Sequence, residues 1–351
     1  MDIRLALQDL YFEYSGSTPD HIWNLPVSGS ERRYYRIKHA NHSLIATFSP
    51  NLAENKTFSY LSGHFSQRGL PVPQVLTTHK SGLIYLQNDF GDHDLLSAIS
   101  KLQNDLDFEA ETLKLVKPVL EWLPKFQMES VAGLDFSKCM GRVEFDKRAF
   151  LWDLNYFKYC FLKPQNILFD EDKLETDFML LANFLDQAPR QHFMYRDFQS
   201  RNIMLHQGKP FFIDFQGGKS GALPYDLISF IYQARAQFSP SMRQKMVEFY
   251  ILEAEKQKMF DAISFNTFFD GFVLLRLLQV LGAYGLRGYI EKKPHFLLSI
   301  PPAIKNISDF LNREKLNFEL PELTKTIQNL SNQTETRSEE HTSELQSPNT
   351  I

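Results

Sequence analysis

The sequence predicts an α+β chain, with a small N-terminal β-sheet carrying one helix, followed by a larger, mostly helical part. Three observations predict it. Extended segments punctuated by turns dominate residues 1–91, apolar residues recur at helical spacing from Leu95 onward, and two short strands interrupt those helices near residue 200.

Met1–Tyr14 spaces its apolar residues by three and four, predicting an amphipathic helix. "IWNLPV" and "RRYYRIKH", joined by "SGSE", and then "HSLIATFS" predict three strands. Glu54–Arg68 predicts a helix stopped by Gly69. The prolines of "LPVPQVL" fix φ and push their predecessors out of the helical region, so an extended segment follows. "SGLIYLQNDFGD" predicts a strand running into a polar connector, completing the sheet-bearing part at residues 1–91. In residues 92–330, "AETLKLVKPVLEWLPKFQ", "EFDKRAFLWDLNYFKYCFL" and "LETDFMLLANFLDQ" each keep apolar residues on one helical face. "NIMLH" and "PFFIDF" around "QGK" predict a hairpin. "PYDLISFIYQARAQF", "SMRQKMVEFYILEAEKQ", a long apolar helix near Val273 and "PPAIKNISDFLNR" follow. Residues 331–351 are expected to be a disordered tail. Within it, "RSEEHTSELQS" reads as a translated sequencing adapter, so 337–351 are set aside as an assembly artefact.

Composition bounds the function. The chain has 351 residues, 43% hydrophobic and 14% aromatic, which is ample for a packed core. Its 38 basic and 42 acidic residues are mixed, with a formal charge of -4, so no basic field recruits nucleic acid or an anionic membrane. A small anionic or neutral ligand is compatible with that balance. Two isolated cysteines, Cys139 and Cys160, form neither a disulfide framework nor a zinc site, and a reducing cytoplasm is the expected location. The N-terminus lacks a signal-peptide pattern, and "GFVLLRLLQVLGAYGL" is broken by Arg276 and Gln279, as expected of a buried core helix rather than a membrane span.

Chemistry concentrates in "MYRDFQSRNIMLHQGKPFFIDFQGG", Met194–Gly218. Asp197 and Asn202 share a loop before a strand, and Asp214 closes the returning strand, so a hairpin of this length can bring two carboxylates and one amide together. Hard oxygen donors of this kind suit Mg²⁺ held jointly with substrate phosphates. Asp197 could instead orient a hydroxyl and accept its proton. The alternative is that all three are turn residues, since Asp and Asn are common beside strands.

These residues resemble the kinase set of a loop Asp, an Asn five positions on, and a strand-end Asp before a glycine-containing turn. With "SGSERRYYRI", "PYDLISFIYQA" and "LLQVLGAYGLRGYIEKKPHFLLSIP", the chain resembles the aminoglycoside phosphotransferase family, and within it the cell-wall amino-sugar kinases, from Leu10 to about Leu311. The resemblance implies a protein-kinase-like bilobal fold, ATP and Mg²⁺ as cofactors, and a small-molecule acceptor. That acceptor would be a sugar, phosphorylated at the anomeric hydroxyl of N-acetylmuramate or N-acetylglucosamine. Other acceptors of the superfamily, such as choline or an aminoglycoside, stay open, as does a nucleotide-binding regulator without activity. It also implies that a further C-terminal domain can follow in such relatives.

By the same resemblance Asp197 is the catalytic base, and Asn202 and Asp214 hold Mg²⁺. Ser28, Gly29 and Ser30 cover the nucleotide phosphates, and Gln87, Asn88, Asp89 and Phe90 form the hinge for adenine. Asp226 ties its helix to the loop structurally, and Arg201 is placed for a phosphoryl group or substrate carboxylate. Asn88–Gly91, "NDFG", imitates a metal-binding Asp-Phe-Gly but comes over a hundred residues too early; the counterpart is Asp214-Phe215-Gln216.

Two departures stand out. Tyr195 occupies the position where the family commonly has His, and is expected to pack and hydrogen-bond in its place. The strand "LIATF" lacks the lysine that kinases pair with a helix glutamate, although Glu54 is placed as that acid. Arg32, Arg33, Arg36 or Lys56 could supply the charge, with Arg36 the first choice.

Overall fold

The computed structural model describes residues 2–26, 31–313 and 316–332. Ser28, Gly29 and Ser30, and the tail from residue 333, lie outside the described residues. In chain order the elements begin with α1 (Ile3–Ser15), β1 (His21–Asn24), β2 (Arg33–His39), β3 (His42–Phe48), α2 (Leu52–Ser66), β4 (Val75–Thr78) and β5 (Ile84–Asn88). Then come α3 (Leu95–Leu102), α4 (Phe108–Leu120), α5 (Leu123–Gln127), α6 (Lys147–Phe157) and α7 (Glu171–Leu185). β6 (His192–Met194), β7 (Ile203–His206), β8 (Lys209–Phe212) and β9 (Lys219–Gly221) precede α8 (Pro224–Ile231), α9 (Pro240–Ala254), α10 (Ala262–Gly285), α11 (Pro294–Leu297) and α12 (Ile300–Arg313). A final helix covers 321–332, so residues 331 and 332 end a helix where a disordered tail was expected to begin.

Two compact units form. The first contains Met1–Glu144, Gln191–Ser220 and Pro240–Phe260, and the second Phe145–Arg190, Gly221–Ser239 and the chain from Asp261. In the first, five antiparallel strands run in the order β1-β2-β3-β5-β4. Period-two alternation decides what each face sees. Tyr35, Ile37, Ala46, Ile84 and Leu86 pack against Ala6, Leu7, Leu10 and Tyr11 of α1. The intervening residues, among them Tyr34, Arg36, Thr47, Tyr85 and Gln87, face the other way, where Tyr85 stacks on Phe58 of α2 with centroids 5.1 Å apart. One helix therefore seals one face of the sheet and leaves polar side chains on the other.

Helix α2 starts where Asn51 caps the Glu54 N–H, which places Glu54 in the first turn with an acid at the positive end of the helix dipole. The β7–β8 hairpin closes through Gln207 (φ 51°) and Gly208 (φ 75°), two left-handed residues as a twist-matched two-residue turn requires.

In the second unit α10 packs on α6, α7, α8 and α12. By length and composition the span Ala262–Ile290 could cross a membrane, but Arg276 inside it is 4% exposed and donates to the Tyr225 hydroxyl (3.1 Å) and to Gln279 Oε1 (2.9 Å). Gly282 and Gly285 let α10 approach α6 backbone to backbone; a Cβ at Gly285 would fall 2.1 Å from the Cys160 carbonyl oxygen.

Several boundaries differ from the sequence expectation. The helix expected over residues 110–127 is two, α4 and α5, because Pro124 at the start of α5 cannot continue a preceding turn. The helix expected to run to Leu162 widens into a π-turn at Lys158–Leu162, where Pro164 has no N–H to offer the Cys160 carbonyl. Helix α8 ends at Ile231, short of the expected Phe238.

Candidate active site

Asp197, Asn202 and Asp214 come together inside the first unit. The Asn202 side-chain nitrogen donates to the Asp197 backbone carbonyl (2.8 Å) and to Asp214 Oδ2 (3.3 Å). The backbone is tied too: Asn202 N–H donates to the Gln199 carbonyl (2.8 Å) and Ile213 N–H to the Asn202 carbonyl (3.0 Å). Asn202 is 7% exposed. With its nitrogen committed, Oδ1 is the atom a cation could take.

Asp214 sits at φ 69°, a left-handed conformation that a non-glycine residue adopts only when its surroundings hold it there. Those surroundings are aromatic. Phe215 is fully buried, lies parallel to Phe58 (4.9 Å, 7°) and meets Phe65 edge-on (5.4 Å, 79°). Phe65 also meets Phe126 and Phe193 edge-on. The cluster joins α2 to the strand-end acid. Gln216 then donates from Nε2 to Asp214 Oδ1 (2.6 Å). Of the two glycines that follow Gln216, Gly218 is the one the packing requires. A Cβ on Gly217 would lie 3.7 Å from Asp197 Oδ2, and one on Gly218 would lie 2.3 Å from Phe193 Cζ.

Burial pushes the Asp214 carboxyl above its ordinary value, and the Asp197 charge adds to that, against Gln216, Arg32 and Arg201. The Asp214 side chain keeps 36% of its accessible surface, so one side of the carboxyl is open while protein packs the others. Two crowded carboxylates and a free amide oxygen are what a hard divalent cation relieves, so the donor set fits Mg²⁺.

Tyr195 packs and hydrogen-bonds beside the loop. It is 1% exposed, donates its hydroxyl to the Ile213 carbonyl (2.6 Å), and meets Phe126, Phe198 and Phe215 edge-on. It thereby supports the strand that delivers Asp214.

Arg36 was the first choice to partner Glu54, and the structure places it elsewhere. Its Nε lies 2.6 Å from Asp89 Oδ2 and its Nη1 2.8 Å from Asp92. The cation at Glu54 is Arg32. Its Nη2 lies 3.0 Å from Glu54 Oε1 and its Nη1 3.4 Å from Asp214 Oδ1, and the residue is 3% exposed. Ser49 donates to the other Glu54 oxygen (3.1 Å). The alternation Arg32, Tyr34, Arg36 signals a shared face, but the partners decide which arginine reaches the acids.

In the segment expected to form the hinge, Gln87 and Asn88 are paired into the sheet, and the Gln87 side chain donates to the Thr47 hydroxyl (3.4 Å). Asn88 Oδ1 accepts from the Gln74 N–H (2.8 Å), and Phe90 stacks on Phe211 at 4.0 Å. Asp89 and Phe90 lie beyond the paired strand. Arg201 is exposed in the single turn Ser200–Asn202. Asp226 is fully buried in the first turn of α8, in the second unit.

Comparison with known proteins gives the chain's family. The model of the phosphotransferase enzyme family matches residues 24–259. The N-acetylmuramate/N-acetylglucosamine kinase of Neisseria meningitidis serogroup B is 25% identical over 294 residues, covering 81% of this chain and 84% of that protein. The enzyme of the same name from Pseudomonas aeruginosa is 23% identical over 312 residues, covering 86% and 88%. Among solved structures, a thermostable mutant of aminoglycoside phosphotransferase APH(4)-Ia in ternary complex with AMP-PNP and hygromycin B matches with TM-score 0.54 at 17% identity, covering 86% of this chain and 98% of that one. It shares the fold, a small antiparallel sheet with a larger helical part. The chain belongs to the phosphotransferase enzyme family and is a kinase that phosphorylates a hydroxyl group.

Proposed function

We propose that the protein is an ATP- and Mg²⁺-dependent kinase whose acceptor is the anomeric hydroxyl of an N-acetylated amino sugar. The observation that carries the kinase chemistry is the convergence of Asp197, Asn202 and Asp214 through the Asn202 amide. Support for the acceptor comes from the names of the two relatives at 25% and 23% identity.

In this reading Asp214 and the Asn202 amide oxygen hold Mg²⁺, which supplies positive charge to the transferring phosphates. Asp197 orients the acceptor hydroxyl and accepts its proton as the oxygen takes the γ-phosphoryl group from ATP, and ADP leaves. Catalysis is then alignment and charge neutralisation, and Arg201 stands at the loop surface to meet the phosphoryl oxygens.

The test is ATP consumption across N-acetylmuramate, N-acetylglucosamine, choline and aminoglycosides, with the parent and Asp197→Ala side by side. Turnover is expected with an N-acetylated amino sugar, giving a phosphate ester that acid removes together with recovery of the reducing end, and is expected to vanish in Asp197→Ala. Turnover confined to choline or an aminoglycoside would refute the acceptor. Bound ATP without turnover on any acceptor would refute the enzyme reading in favour of a nucleotide-binding regulator.

A further inference from the structure

Strand β3 presents Ile45 and Thr47 to the site face of the sheet, and neither is cationic. Thr47 is fully buried and its hydroxyl accepts from Gln87. The position from which a kinase would extend its lysine is thus closed by a short neutral side chain. Tyr34 is the registered neighbour of Thr47 on β2, and Arg32 lies two residues before it on the same alternation, level with the start of α2.

The guanidinium of Arg32 reaches Glu54, the kind of helix acid that a kinase's strand lysine pairs with. It is held by Glu54, whose second oxygen is fixed by Ser49, so the acid cannot swing away without losing both contacts. Among the described residues its Nε and Nη2 are buried yet make no hydrogen bond: Nη2 is in ionic contact with Glu54 but off line for one. A cation 97% removed from water with idle donors is costly as a purely structural element, because a buried ion pair seldom outperforms apolar packing. Its other contacts, from Nη1 to Asp214 Oδ1 and to the Tyr34 hydroxyl, are longer, at 3.4 Å each. The planar fork of arginine can keep one edge on Glu54 while the remaining donors meet two oxygens of a phosphate chain, which a lysine would meet as a point charge.

Resting on the kinase reading above, we propose that Arg32 replaces the missing strand lysine, and that its guanidinium, held by Glu54, binds the α- and β-phosphate oxygens of the nucleotide. Arg32 also spans Glu54 and Asp214, so one side chain joins the helix acid to the strand-end acid.

The experiment is equilibrium binding of ATP, ADP and adenosine to the full chain, by calorimetry, for the parent, Arg32→Met, Arg32→Lys and the exchange variant Arg32→Met/Thr47→Lys. Arg32→Met is expected to weaken ATP and ADP about tenfold or more, the loss of charge-assisted hydrogen bonds, and to leave adenosine unchanged. Arg32→Lys should recover part of that affinity, and the exchange variant should recover more than Arg32→Met alone. If Arg32→Met fails to fold, Arg32→Gln, which keeps a polar side chain and removes the charge, carries the same comparison. Equal affinities for ATP in the parent and in folded Arg32 variants would overturn the assignment while leaving the kinase reading intact. A parent that binds no nucleotide would overturn both.

Discussion

Two of the chain's Asp-Phe segments, Asp89-Phe90 and Asp214-Phe215, look alike in sequence and behave oppositely in structure. Burial works to raise the Asp89 carboxyl, but Ser43, Arg36 and the Gly91 N–H outweigh it, so Asp89 sits below its ordinary value. Burial raises Asp214 as well, and there the Asp197 charge pushes in the same direction. Asp89 is satisfied where it stands, with Arg36 Nε at 2.6 Å and the Gly91 N–H at 2.9 Å. Asp214 is left short of positive charge, on a strained backbone, with an open side. An acid whose charge is fully met holds a structure together; one whose charge is not met is available to a ligand.

The comparison can be broken at three levels. The largest effect is on turnover. Asp214→Asn is expected to lower kcat about a thousandfold, as the loss of a group that stabilises charge in the transition state does, and Asp89→Asn to leave kcat near that of the parent. Similar losses from the two substitutions, in steady-state assays on the preferred acceptor, would erase the distinction. A middle-sized effect concerns the rings. Phe215→Leu should cost about 1–2 kcal/mol in urea unfolding, because a fully buried ring loses matched neighbours on two sides. Phe90→Leu should cost less, since Phe90 is half-buried and stacks mainly on Phe211.

The smallest effect is in the sign of pH dependence. Asp89, with its folded value below the ordinary 3.8, contributes stability above pH 3.8 that is lost as pH falls through the folded value. Asp214, raised above 3.8, contributes stability that is present below pH 3.8 and lost as pH rises through its folded value. Melting temperatures of the metal-free protein at pH 7 should therefore fall in Asp89→Asn and rise in Asp214→Asn, and both differences should shrink toward the acid side. Shifts of the same sign at pH 7 would show that the two carboxyls share one environment.

The hairpin and its acids were legible because everything that forms them is local. A two-residue turn between apolar runs sets the register, and the register fixes how far Asn202 stands from Asp214. The arginine was not legible for the opposite reason. Arg32 and Arg36 share a face and a residue type, and what separates them is Asp89, 53 positions beyond Arg36, against Asp214, 182 positions beyond Arg32. No local pattern carries that information. The glycine-containing turn after Asp214 is legible, but the need for Gly218 lies in Phe193, which only folding brings alongside. The helix breaks at Pro124 and near Pro164 were written in the sequence as prolines inside apolar periodicity, where the periodicity outweighed them.

The rings around Phe215 carry a mechanical consequence. Parallel plates such as Phe58 and Phe215, 7° apart, can slide across each other with little change in contact, whereas the edge of Phe65, at 79°, acts as a stop against tilting. Phe58 and Phe65 of α2 thus bear on the ring next in sequence to Asp214. Helix and acid are therefore joined twice, through these rings and through Arg32, and displacing one is expected to be felt at the other.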